Sequence, residues 1–120
     1  MPSRDRRGAE RRGRRAETLA AWWLRLKGYS IVETRLRLPV GEIDLIARRG
    51  GVLAFVEVKQ RARLADSQHA VTHASWRRIA RAAEVWAARH PQVSVLDWRY
   101  DLIAITARNW PRHYKDYWRP

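Results

Sequence analysis

Apolar residues recur at the spacing of an α-helix in two segments of the chain. Residues 16–27 and 72–89 carry apolar side chains three and four positions apart, which predicts two helices that each bury one face. Gly28 and Pro91 lie just beyond these segments, and both residue types commonly follow the end of a helix.

Other segments alternate apolar and polar residues, as strands do when one face is buried. We predict five strands, over residues 29–38, 42–48, 52–59, 92–96 and 99–107. The resulting order, α-β-β-β-α-β-β, is typical of an α/β domain in which helices cover a mixed five-stranded sheet.

The two ends of the chain differ in composition from the centre. Residues 1–15 contain seven arginines and almost nothing apolar, which predicts a flexible arm that either follows a phosphate backbone or acts as a solubilising tail. Residues 16–108 are predicted to form a single domain, with a loop over 61–71. Residues 109–120 form an aromatic and basic tail, which either stacks on unpaired bases or packs against the domain or a second subunit.

The central hairpin brings charged residues together. Gly50-Gly51 favours a two-residue turn, because glycine tolerates the positive φ angles that such turns need. With this turn the numbers of paired residues sum to 101, so Asp44 lies opposite Glu57 with Cβ atoms about 5 Å apart. Lys59 follows Glu57 by two positions and shares its face of the sheet.

Two facing carboxylates repel each other, and a bound cation offsets this repulsion. Carboxylate oxygens suit Mg²⁺ or Mn²⁺, and an ammonium beside the metal can orient a water or neutralise charge that develops on a phosphate. Asp44, Glu57 and Lys59 are therefore candidate catalytic residues of a metal-dependent phosphodiesterase. The spacing alone leaves open a plain ion pair between Glu57 and Lys59 on a solvated strand, with Asp44 incidental.

The chain is strongly basic, with 25 Lys and Arg against 12 Asp and Glu and a net charge of +13. This excess favours a polyanionic partner, most simply nucleic acid. The absence of cysteine excludes disulfides and thiolate metal sites. No apolar run approaches the roughly 20 residues of a membrane span, and we expect a cytoplasmic protein without a membrane partner.

Four segments between Gly13 and Ile105 carry a resemblance to known proteins: RRAETLAAWWLRLKGY, the hairpin GEIDLIA with FVEVKQR, AVTHASWRRIARAAEVW, and RYDLIAI. They resemble the YraN-like family of small bacterial proteins, a branch of the restriction-endonuclease-like PD-(D/E)XK superfamily. The resemblance implies a restriction-endonuclease-like three-layer core. It also implies that Asp44 and Glu57 bind the metal and that Lys59 is the catalytic lysine.

The resemblance extends to further residues of the site. Glu17 matches the first-helix glutamate of resolvase-like members and is expected to complete the metal shell, together with the main-chain carbonyl of Val58. The chain departs from the family pattern because no proline precedes Asp44, and because Ser75 stands where the second helix usually begins with a lysine. The arginines expected to contact phosphates are Arg14, Arg15, Arg61, Arg77, Arg78 and Arg81.

These features favour a Mg²⁺-dependent endonuclease that hydrolyses phosphodiester bonds in DNA, with branched or single-stranded DNA among its candidate substrates. The alternative is a DNA-binding or DNA-processing module that has the same fold and does not cut. A homodimer stays open, since resolvase-like relatives often pair. His69 and His73 are four residues apart, as in some zinc sites, but no third ligand accompanies them.

Overall fold

Five strands form one mixed sheet, and an α-helix covers each of its two faces. This computed structural model describes the backbone of residues 4–61 and 71–120, with side chains from residue 13. The elements are α1 (Arg4–Leu26), β1 (Ser30–Leu38), β2 (Gly41–Arg49), β3 (Val52–Arg61), α2 (His73–Ala88), a short 3₁₀ helix (Pro91–Val95), β4 (Asp97–Thr106) and β5 (Arg112–Trp118). The predicted loop over 61–71 falls almost wholly outside the described residues.

The strands lie in the spatial order β1-β2-β3-β4-β5. Neighbouring strands are antiparallel, except that β3 and β4 run parallel. The pairing register shifts after Ile31 on β1 and after Tyr100 on β4, at the two sides of the sheet. The helix–sheet–helix layers confirm the predicted fold class, a restriction-endonuclease-like core with a mixed five-stranded sheet.

α1 begins at Arg4 rather than at Ala16, so most of the segment predicted as a flexible arm is helical. Arginine, alanine and glutamate are good helix formers, and a helix extends at little cost once its first turns are fixed. Apolar periodicity predicted only the part of α1 that packs on the sheet, where Ala16 and Leu24 are buried. The helix ends as predicted, because Gly28 adopts a φ of 91°.

α2 agrees closely with the prediction for residues 72–89. Thr72 caps its N-terminus, since the Thr72 hydroxyl accepts the main-chain N–H of Ser75 at 3.1 Å. The predicted apolar stripe of Trp76, Ile79, Ala83, Trp86 and Ala87 is buried, and Ala80 and Ala82 are buried with it.

The chain after α2 differs from the prediction at two places. Residues 92–96 were predicted to form a strand, but they lie largely in the 3₁₀ helix, whose first position is Pro91. Proline has the φ of a helix start and cannot donate to a strand partner. The fifth strand is Arg112–Trp118, within the segment predicted as a tail. Its apolar residues do not alternate regularly, and Asp116 adopts a φ of 53° where the pairing with β4 is irregular.

The core has two parts, one on each face of the sheet. Between the sheet and α2 it is aromatic, and its large members are Phe55, Trp76, Trp86 and Tyr100. Between the sheet and α1 it is aliphatic, with Leu24, Leu45, Val56 and Ile103. Within the part of the chain that the structure describes, no helix has both the length and the apolar character of a membrane span.

Candidate functional site

The β2–β3 hairpin has the predicted register. Leu45 pairs with Val56, and the numbers of paired residues sum to 101 from there to the turn. Regular pairing stops at this pair, and Asp44 and Glu57 occupy the next position, where the register sets them opposite each other. The two strands therefore separate at the point where the carboxylates stand.

Asp44 and Glu57 stand close enough for each carboxyl group to influence the ionisation of the other. Asp44 Oδ2 also accepts the main-chain N–H of Val58 at 2.8 Å, so this side chain takes the place of a strand carbonyl. Burial raises the pKa of Asp44. The pKa of Glu57 is raised to about 7, first by burial and then by the negative charge of Asp44. Near neutral pH Glu57 is therefore still partly protonated.

Lys59 stands beside this pair on the same face of β3. Its Nζ lies 3.1 Å from Glu57 Oε1, and its side chain is 31% exposed, so the ammonium lies between the acids and solvent. The Glu57 side chain is only 14% exposed and contacts a second carboxylate. This arrangement differs from the plain ion pair on a solvated strand that the spacing alone left open.

The two acids line a cavity of about 310 Å³ between the hairpin and α2. Arg78 borders the same cavity, and its Nη2 donates to Ser75 Oγ at 3.2 Å. Gly41 allows the helix to come this close, because a Cβ at this position would lie 2.4 Å from the main-chain oxygen of Arg78. Ser75 and Arg78 are thus the helix residues that face the carboxylates.

Glu17 lies on α1 and lines a different cavity, of about 390 Å³. Its Oε2 is 3.5 Å from Nε of Arg35. The pKa of Glu17 is raised, first by burial and then by the charge of Asp44, so the two carboxylates influence each other. Across residues 4–61 and 71–120, no three His, Cys, Asp or Glu side chains stand close enough together to hold a metal ion. The role of Glu17 as a further metal ligand stays a prediction.

The six arginines predicted to contact nucleic acid do not form one cluster. Arg78 lines the cavity of the acids. Arg14 lines the cavity of Glu17, and Arg15 lies beside Gln60 in a third cavity. The other three lie at the surface of α2 and at the end of β3, and they are Arg77, Arg81 and Arg61.

Aromatic residues of the predicted tail mostly pack against the domain itself. Trp118 stacks on Trp76 with ring centroids 6.0 Å apart, and its Nε1 donates to His73 Nδ1 at 2.8 Å. Trp110 is 77% exposed and stacks on Trp23 at 5.8 Å. The predicted histidine pair cannot be compared in full, because residue 69 lies outside the described residues.

A second polar centre was missed by the sequence analysis. Asp101 is fully buried in β4, and Arg99 donates to it through Nε and Nη2 at 2.8 and 2.7 Å. Its other donors are His113 Nε2 at 2.7 Å and the main-chain N–H of Asp116 at 2.9 Å. Burial raises the pKa of Asp101, but these hydrogen bonds outweigh burial and lower it overall. The available signal was a carboxylate inside the apolar strand sequence YDLIAI.

Comparison with known proteins agrees with this description. Residues 16–105 match the model of a family described as "Uncharacterised protein family UPF0102". A UPF0102 protein of Sphingopyxis alaskensis is 51% identical over 115 residues, which cover 96% of this chain and 98% of that protein. A UPF0102 protein of Bartonella tribocorum is 48% identical over 113 residues, covering 94% and 87%. The chain therefore belongs to the UPF0102 family, which confirms the YraN-like resemblance of its sequence.

Proposed function

We propose that this protein is a metal-dependent nuclease that hydrolyses phosphodiester bonds of DNA in the cavity lined by Asp44 and Glu57, with Lys59 beside it. One observation carries the proposal: two half-buried carboxylates line the same cavity where the regular pairing of β2 and β3 ends, with a lysine ammonium beside them. Such a pair is unfavourable for folding, because both groups resist ionisation in this environment. An unfavourable arrangement of ionisable groups in a cavity is characteristic of functional sites.

The residues present fit a hard divalent cation such as Mg²⁺ or Mn²⁺. The anionic groups that line the cavity are carboxylates, whose oxygens these ions prefer, and Asp44 and Glu57 line it together. Asp44, Glu57 and the carbonyl of Val58 would hold the ion, and Glu17 would join them by turning away from Arg35. When bound, the ion supplies positive charge that stabilises the additional negative charge on phosphorus in the transition state.

Lys59 orients the attacking water and neutralises charge on the phosphate. Its ammonium is 3.1 Å from Glu57 and partly exposed, so it reaches a substrate that enters the cavity without losing its tie to the acid. A proton that Glu57 holds must leave before both carboxylates can act as anionic ligands. Activity should therefore rise as the pH increases through about 7, where Glu57 titrates.

Arg78 and Ser75 are placed to hold a phosphate above the acids. Arg78 is exposed, borders the cavity, and is oriented by its hydrogen bond to Ser75. A guanidinium suits phosphate because it offers planar, paired donors. The net charge of +13 attracts a polyanion to the whole surface.

The test combines metal binding with cleavage. Calorimetry with Mn²⁺ would be followed by cleavage assays on duplex, single-stranded and four-way-junction DNA, each with and without Mg²⁺. The variants are Asp44→Asn and Lys59→Met, with Glu84→Gln on the exposed side of α2 as a matched carboxylate-to-amide control. We expect metal-dependent cleavage by the wild type and the control, and loss of at least about 100-fold in rate in the other two, as for groups that act on the reacting atoms.

A DNA complex that forms equally well in Asp44→Asn would show that the acids serve the reaction rather than the fold. DNA binding without metal binding or cleavage by the wild type would contradict the proposal. That result would instead favour the non-cutting DNA-binding module.

A further inference from the structure

A second group of cations lies at the turn end of the sheet, away from the acids. Arg49 ends β2, Arg99 lies on β4, and Lys115 lies on β5. A cavity of about 320 Å³ separates them, and its lining consists of Tyr29, Arg49, Gly50, Val52, Arg99 and Lys115. Burial lowers the pKa of the nearby Lys27, and its neighbours Lys115, Arg99 and Arg49 lower it further. The charges of these three side chains therefore act on Lys27.

The buried carboxylate next to this pocket does not balance these charges. Both oxygens of Asp101 are engaged by the fork of Arg99, and His113 and a main-chain N–H complete its hydrogen bonds. Lys27 Nζ contacts His113, at 2.6 Å from its Nδ1, rather than Asp101 itself. The hydrogen bonds of Asp101 are thus taken by Arg99, His113 and the main chain, and Arg49 and Lys115 have no share in them.

Arg49 and Lys115 lack acidic partners among the residues that the structure describes, because no carboxylate oxygen there lies within 4.0 Å of either side chain. This differs from other surface arginines of the chain, such as Arg37 with Glu42 and Arg119 with Asp116. Unpaired cations that surround a cavity favour the binding of an anion.

Tyr29 gives the pocket a rigid wall. The guanidinium carbons of Arg49 and Arg99 lie 5.8 and 6.0 Å from the centre of its ring, and Arg99 Nη2 donates to its hydroxyl at 2.6 Å. Such contacts hold guanidinium groups in a fixed orientation before a ligand arrives. Gly50 leaves the mouth open, since a Cβ there would meet no atom within 4 Å.

We propose that this pocket binds a phosphate group, at a site separate from the carboxylate cavity. Arg49 lies five residues from Asp44 along β2, which corresponds to about 17 Å in a strand. The two sites also open on opposite faces of the sheet, because Tyr29 belongs to the core beneath α1 whereas Asp44 faces α2. The phosphate is either the terminal phosphate of a nucleic-acid strand or a phosphodiester within it, and the two share the same recognition chemistry. The pocket goes beyond the proposed function, since phosphate binding is measurable whether or not the acids cleave DNA.

The experiment measures binding of inorganic phosphate, and of a short thymidine oligonucleotide with and without a 5′-phosphate, by calorimetry. The test protein combines Arg49→Gln with Lys115→Gln. The control combines Arg89→Gln with Arg108→Gln, which removes two charges from exposed positions outside the pocket. We expect the test protein to bind inorganic phosphate at least about tenfold more weakly, and the control within about twofold of the wild type.

Preference for the 5′-phosphorylated oligonucleotide would assign the pocket to a strand end, and equal binding that still depends on Arg49 and Lys115 would assign it to the backbone. If phosphate binding weakens equally in the test and control proteins, the proposal is overturned. The loss would then come from the lower net charge of the protein rather than from this pocket. Asp44→Asn should keep phosphate binding at this pocket. Failure of this proposal is therefore distinguishable from failure of the nuclease assignment.

Discussion

Replacing Glu57 with glutamine should stabilise the folded protein at neutral and alkaline pH. The Glu57 side chain is 14% exposed, and its pKa is raised from 4.5 to about 7, first by burial and then by Asp44. Unfolding removes both effects, because the carboxylate then faces water alone. Glutamine keeps the shape of the side chain but never carries the charge.

The magnitude follows from the two pKa values. The difference between 4.5 and about 7, at about 1.4 kcal/mol for each tenfold change in an equilibrium constant, corresponds to roughly 3 kcal/mol. This figure already contains the favourable effect of Lys59, which lowers the pKa of Glu57. Between these values the folded state binds more protons than the unfolded state, so the free energy of unfolding of the wild type falls as pH rises from about 4.5 to about 7. The gain in Glu57→Gln should therefore be small near pH 4 and reach roughly 3 kcal/mol near pH 8.

Urea unfolding of the metal-free protein across this pH range measures the effect directly. The comparison is the free energy of unfolding of Glu57→Gln minus that of the wild type, with Glu84→Gln as an exposed control that should show no such trend. Taking the difference removes titrations common to both proteins. A difference that stays constant from acidic to alkaline pH would refute the reasoning, because Glu57 would then ionise as easily in the fold as in water.

Two further changes test other parts of the structure. Asp101→Asn should destabilise the fold by about 3–5 kcal/mol, because it leaves the guanidinium of Arg99 without its buried anion. Urea unfolding compares this variant with Asp116→Asn, and equal stabilities of the two would contradict the role of the network. Gly41→Ala should lower the free energy of unfolding by about 1–3 kcal/mol, since its Cβ would meet the backbone of α2. Gly51→Ala is the control, because a Cβ there has open space. If both variants unfold at the same urea concentration, the helix does not pack as closely on Gly41 as described.

The hairpin was the most predictable part of the molecule. Side chains on paired strands alternate in step, so one turn position determines which residues face each other. The Gly50-Gly51 turn was therefore enough to predict that Asp44 and Glu57 face each other. The position of Glu17 could not be predicted from the sequence in this way. It depends on how α1 lies across the sheet and on a contact with Arg35 that no local pattern predicts.

The network of Asp101 was out of reach for a related reason. Its partner His113 lies in a segment whose charges and aromatic residues gave the composition of a tail, and only pairing with β4 makes that segment a strand. The 3₁₀ helix over Pro91–Val95 was missed because five residues with two valines fit a strand as well as a helical turn. In both cases tertiary contacts outweighed local preference.

The irregular outer strands of the sheet bear on how copies of this chain meet. β1 has a register shift after Ile31 and a φ of 51° at Arg35, and β5 pairs across a shift after Tyr100 and has a φ of 53° at Asp116. Such breaks bend an edge strand and offer a poor template for hydrogen bonding to another strand. Crowded copies of this chain are thus protected against joining edge to edge into continuous sheets, the first step toward fibrous aggregation.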